Sequence, residues 1–218
     1  MIQDLAAFFR QGGPFMYLNL LFLSFALATI VERILMIMFR LNLDSRAFMA
    51  QVQKLILSNN VDRAIKLCAS APNAALAQVI KAGLTRANRG QREIGRALEE
   101  AVLEVTPRIS KRIPTLWSLA NIATLVGLIG TITGLIGTFR ALGAASAEMK
   151  QVMLSKGISE AMNNTAFGLI IAVLCIVAHM ILHNKSKAII DEIEFHALRL
   201  ESMLTQRGSG ETSPLDRV

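Results

Sequence analysis

The chain has 218 residues, 53% of them hydrophobic and 18% charged, with a mean hydropathy of +0.46. This balance points to an integral membrane protein, and the helical spacing along the chain makes the expected fold all-α. The formal net charge of +7 crowds beside apolar runs, which assigns it to anionic lipid and membrane topology rather than to nucleic acid.

Residues 1–13 form a weakly amphipathic lead, with Leu5, Phe8 and Phe9 on one side and Gly12-Gly13-Pro14 at its end. An interfacial helix is expected there. The lead carries Asp4 and Arg10 and no Ala-x-Ala pattern follows, so no cleavable signal peptide is expected. Residues 14–39 are the first span, longer than the roughly 20 residues that cross hydrocarbon. Glu32 and Arg33 stand near its end. They either neutralise each other, face other protein, or snorkel at the membrane edge.

Residues 40–114 read as a soluble helical segment. Asp44 caps a helix over Ser45–Leu57, and Asn60 or Asp62 opens a short one through Cys68, broken at Ala71-Pro72. Two more helices follow over Ala74–Ala87 and Glu93–Ile113, with Pro107 a candidate kink and Pro114 marking entry into the membrane. Arginines and lysines are dense throughout, which holds the segment on the cytoplasmic side.

Residues 115–142 are the second span and carry no charge before Arg140. Residues 143–157 are expected as a short translocated loop, and residues 158–183 as the third span. The basic exit His183-Asn184-Lys185-Ser186-Lys187 leads to a cytoplasmic helix within 184–207 and a disordered tail over 208–218. The N-terminus is therefore placed in the periplasm and the C-terminus in the cytoplasm. Cys68 and Cys175 lie in segments too different to meet, so no disulfide is expected.

Two spans carry stripes of small and polar residues. At about 100° per residue, Gly127, Thr131, Gly134 and Thr138 line one face of the second, with Gly130 and Gly137 on its flank. The third carries Thr165, Gly168, Ala172, Cys175 and His179. In lipid, close helix approach depends on small residues and interhelical hydrogen bonds. The stripes therefore serve helix packing or line a narrow polar path, and a membrane threonine can equally bond its own helix. Glu160 either complements the dipole of the helix start or gathers cations at the outer mouth. On a straight helix Glu160 and Thr165 stand roughly 140° apart, and Asn163 and Asn164 between them favour a wet or protein-facing site. His179 and His183 read as packed or interfacial residues, with a proton relay as the alternative.

No phosphate loop, metal-ligand cluster or nucleophile beside a histidine is present, so no enzyme, metal or cofactor is expected. No acidic residue lies mid-span either. A proton path built from this chain would need a titrating group from a partner.

These residues resemble the MotA/TolQ/ExbB proton-channel family. Its glycine core is matched by Gly127-Leu128-Ile129-Gly130-Thr131-Ile132-Thr133-Gly134, with Phe139 beyond. Its third-span pattern is matched by Ile158-Ser159-Glu160-Ala161, Thr165 and Gly168-Leu169, and its Glu-Arg pair by Glu32-Arg33. Ala123-Thr124 stands where the family often has Ala-Pro. Three spans with a large loop between the first two resemble the TolQ/ExbB branch. The resemblance implies a pentamer around two copies of a single-span ExbD/TolR-like partner. That partner's membrane aspartate would face Thr131 and Thr165, with Glu160 shaping the entrance. The implied activity is a proton-driven motor in the bacterial inner membrane, serving TonB-type import, Tol-type envelope maintenance or gliding motility. The competing expectation is a structural scaffold whose glycines serve assembly only.

Overall fold

The computed structural model describes residues 13–37, 44–143 and 146–208, and these are helical with short connections. The helices are α1 (Gly13–Leu35), α2 (Ser45–Leu57), α3 (Val61–Ala69), α4 (Ala75–Thr85), α5 (Gln91–Ser110), α6 (Ile113–Gly143) and α7 (Ala147–Gly208). The expected interfacial lead, apart from Gly13, and the expected tail beyond Gly208 lie outside the described residues, as do positions 38 and 39 of the first span. Three stretches are long and apolar enough to cross a membrane: Gly13–Leu35, and one within each of Gln91–Gly143 and Glu148–Gln206.

The chain divides into two compact units. One is built from residues 1–33 and 112–182, the other from 34–111 and 183–218, as far as these are described.

In the first unit α1 starts at Gly13, whose φ of +66° suits glycine, and Pro14 follows in the first turn, where its missing N–H is harmless. Met16, Asn19, Ala26, Thr29 and Arg33 make the buried face of α1, while Tyr17, Leu21, Phe25 and Val31 stay more than half exposed on its other faces. Asn19 is fully buried, and neither of its amide atoms has a hydrogen-bond partner among the described residues. Arg112 has a left-handed φ of 61° immediately before α6, and α6 then begins at Ile113 with Pro114 in its first turn.

Two expectations change in α7. A loop over 143–157 and a separate helix within 184–207 are expected, yet the helix runs unbroken for 62 residues from Ala147 to Gly208. The physical reason is the absence of proline throughout this stretch. Its isolated glycines, Gly157 and Gly168, each cost only about 1 kcal/mol in a helix interior. The polar run His183–Lys187 changes the solvent preference of the helix and leaves its backbone intact.

The second unit packs α2 to α5 and the C-terminal part of α7 around one apolar core. Val52, Ile56, Val79, Ile80, Leu84, Ile94, Leu98, Ile109 and Leu200 are among its most enclosed members. Each such side chain contributes roughly 1.5–3 kcal/mol by leaving water. Asp44 caps α2 by accepting from the Ala47 N–H at 3.2 Å. Asn60 precedes α3 without a side-chain cap, and Asp62 stands in the first turn of that helix. Pro107 is accommodated inside α5. Gly83 of α4 permits close approach: a Cβ there would lie 2.6 Å from Leu98 Cδ2 and 3.2 Å from Leu200 Cδ2. Ser45 donates to Glu192, joining α2 to α7.

Candidate functional site

The site grows from the close approach of α6 and α7 in the first unit. Both helices present small residues where they meet. A Cβ added at Gly168 would stand 2.6 Å from the Ala123 carbonyl oxygen and 3.3 Å from Gly127 Cα. One at Gly127 would stand 3.0 Å from the Asn164 carbonyl oxygen and 3.2 Å from Thr165 Cα. Gly130 lies against the Asn164 side chain and Gly134 against Ala161. Ala172 continues the buried face of α7. Higher on α6, Thr138 packs directly on Gly157.

The glycines of α6 thus meet a helix of their own chain. The face that they form is covered by α7 at Gly127, Gly130 and Gly134. Gly137 differs, because nothing lies within 4 Å of a Cβ built there. Asn164 is buried at 5% exposure in this seam, while Asn163 stays partly exposed.

The seam brings Thr131 and Thr165 together. Thr165 Oγ1 donates across the helices to the Gly127 carbonyl at 3.1 Å and lies 3.4 Å from Thr131 Oγ1. This carbonyl is reachable because a glycine at 127 lets the α7 backbone approach closely. Thr131 donates to the Leu128 carbonyl of its own helix at 2.6 Å. Thr124, Thr133 and Thr138 likewise bond within α6, the self-satisfied state usual for a hydroxyl in lipid. Both threonines of the pair are partly exposed, so the hydroxyls line the edge of the seam and are not sealed within it.

Charge is absent around the pair. From Leu116 to Phe139, and from Ala161 to His183, there is no Asp, Glu, Lys or Arg. Among the described residues no group of three or more His, Cys, Asp or Glu could hold a metal ion. Glu160, one and a half turns before Thr165, pairs with Lys156 at 3.9 Å. His179 stacks in a tilted arrangement on Trp117, ring centroids 5.9 Å apart.

At the far end of α1, Arg33 is 1% exposed and Glu32 is 43% exposed. Arg33 Nη2 reaches Glu32 Oε1 at 3.4 Å, and Arg112 binds the other carboxylate oxygen. Arg33 therefore faces protein, and Glu32 ties α1 to the left-handed residue that opens α6. Arg112 is the partner that sequence spacing does not reveal, since it lies 80 residues away. Asn19 is a lone amide in an apolar run, and nothing in the run says that it turns inward.

What this arrangement can do is limited and specific. Two neighbouring hydroxyls from different helices offer acceptor lone pairs in an apolar setting. They have no titrating group of their own. A sequence model described as the MotA/TolQ/ExbB proton channel family matches residues 71–195, which include α6 and the span of α7. No curated protein matches the chain.

Proposed function

Because this chain belongs to the MotA/TolQ/ExbB proton channel family, we propose that it is the stator-type subunit of a proton-driven motor in the bacterial inner membrane. In this reading five copies surround two single-span ExbD/TolR-like chains, with N-termini periplasmic and C-termini cytoplasmic. The partner's aspartate supplies the titrating group that the middle of the spans lacks, and its cycle of protonation turns one component within the other. The work so delivered serves TonB-type import, Tol-type envelope maintenance or gliding motility.

The observation that carries the reading is the Thr131–Thr165 pair, 3.4 Å apart in stretches, 116–139 and 161–183, free of Asp, Glu, Lys and Arg. The hydroxyl protons already point to the carbonyls of Leu128 and Gly127. What remains at the edge of the seam is acceptor capacity. Such a site receives a protonated carboxyl, which donates, more readily than a carboxylate, which needs donors. Entry of a carboxylate requires a hydroxyl to rotate away from its carbonyl. That difference supports a site in which loss of the proton and departure of the partner go together. Glu160 shapes the outer approach, and Gly127, Gly130, Gly134 and Gly168 set the spacing of the two hydroxyls. Gly137 and Thr138 lie further out on the same helix.

The scaffold reading draws on a separate observation, the burial of the α6 glycines against α7. Thr131→Val and Thr165→Val separate the two. Val keeps the shape and removes the hydroxyl, so a motor should assemble normally and lose its proton-dependent work. The measurements are co-purification of the partner and proton entry into vesicles holding both chains. Full proton entry in both variants would refute the role given to these hydroxyls.

A further inference from the structure

The second unit carries a groove of about 540 Å³ between α5 and α7. Leu98, Val102 and Ala197 form its apolar lining, and Leu103 and Leu198 stand beside it 66% and 67% exposed. Its charged lining residues are Glu99, Glu194 and Glu201, with no lysine or arginine among them. This is unexpected in a chain with 23 basic and 16 acidic residues.

The three carboxylates are also uncommitted. Among the described residues Arg86 and Arg96 pair with Glu93, and Arg108 pairs with Glu104. None of Glu99, Glu194 and Glu201 enters an ion pair there. Gly95 lets the Glu201 carboxylate lie close over α5, since a Cβ at that position would stand 2.9 Å from Glu201 Oε1.

We propose that this groove docks a cationic amphipathic helix of another protein, its apolar ridge on Leu103 and Leu198 and its lysines or arginines on the three glutamates. Charge selects the occupant. Anionic lipid and nucleic acid are repelled by the same carboxylates. Two exposed leucines beside acids suit a docked helix whose own apolar anchors repeat at i, i+3 and i+4. The inference rests on the groove alone, independently of the motor reading.

The test uses the full chain in nanodiscs of zwitterionic lipid, which offer a cationic probe no anionic surface. The probe is a fluorescent amphipathic helical peptide of leucine and lysine, and its leucine–glutamate counterpart is the control. Anisotropy should show saturable binding of the lysine peptide alone, weakened by added salt. Replacing Glu99, Glu194 and Glu201 together by Gln should weaken binding about tenfold, as expected for three partly exposed charge pairs. Leu103→Ala with Leu198→Ala should weaken it as well, and this pair keeps the charges should the triple variant fold poorly. Circular dichroism checks helix content in each variant. Equal binding by wild type and both variants, or no binding by wild type, overturns the proposal. A changed oligomeric mass of the triple variant in light scattering also overturns it, because the groove would then be a contact between copies of this chain.

Discussion

Replacing Gly168 by alanine puts one methyl group into the seam between α6 and α7. The methyl carbon would lie 2.6 Å from the Ala123 carbonyl oxygen, and ordinary contact begins at 3.4 Å, so the backbones must give way by 0.8 Å. The atom in the way belongs to a helix backbone and cannot swing aside as a side-chain tip would. The 3.1 Å bond from Thr165 to the Gly127 carbonyl would then open to roughly 3.9 Å, beyond hydrogen-bond range. Overpacking of this kind costs about 1–3 kcal/mol, and a cross-helix hydrogen bond in lipid is worth roughly 0.6–2 kcal/mol. Alanine recovers up to about 1 kcal/mol of helix propensity, so the variant should lose about 1–4 kcal/mol net. Titration with a denaturing detergent in mixed micelles, followed by circular dichroism, measures it. Gly137→Ala is the control, because nothing lies within 4 Å of the added methyl, and it should match wild type or gain up to about 1 kcal/mol of helix propensity. Equal stability of Gly168→Ala and wild type would refute the close seam and, with it, the spacing of the two hydroxyls.

Glu32→Gln and Arg112→Gln should each lower the thermal midpoint, and the double variant should fall by less than their sum, because both break the same ion pair. Strict additivity would show that the pair contributes nothing. Burial pushes the Cys68 thiol up to about 11, with Lys81 opposing in part. At about pH 8 it should carry roughly a hundredth of the thiolate of an ordinary cysteine, so a water-soluble maleimide should label it only after unfolding. Burial lowers the proton affinity of His196, Glu192 opposing and Arg199 adding to the effect. The unfolded chain takes up that proton near pH 6.5 while the folded unit does not. Stability should be full above that pH, fall as pH drops through it, and stop falling below the folded value. Thermal melts of wild type and His196→Gln check this, and an unchanged pH dependence in the variant would exclude His196 as its source.

Local signals carried much of the fold. The cap at Asp44, the break before Pro114 and the three apolar runs each depend on residues close in sequence. Continuity was harder to read. A change from apolar to basic residues at His183 looks like an element boundary, yet helix geometry has no stake in solvent preference, and α7 passes straight through. Partners distant in the chain were not legible either. Glu32 advertises a need for a cation, and its neighbour Arg33 meets that need on paper, so Arg112 is concealed by the simpler pairing. The glycine stripe showed where α6 approaches something, and periodicity alone cannot say whether that something is α7 or another chain.

The seam explains why one device can serve packing and chemistry together. Glycine at 127 and glycine at 168 both clear the way for the facing backbone, so α7 comes close enough for Thr165 to use the Gly127 carbonyl. Thr165 is thereby drawn out of the intrahelical bonding that satisfies Thr124, Thr133 and Thr138. It arrives beside Thr131 as a consequence of the packing, with no further residue needed to hold it. Either glycine replaced by a larger residue would part Thr165 from the Gly127 carbonyl and from Thr131, which already bonds within α6. The scaffold and motor readings therefore share their glycines and differ only in the hydroxyls, which is why Thr131→Val and Thr165→Val discriminate between them where no glycine variant can.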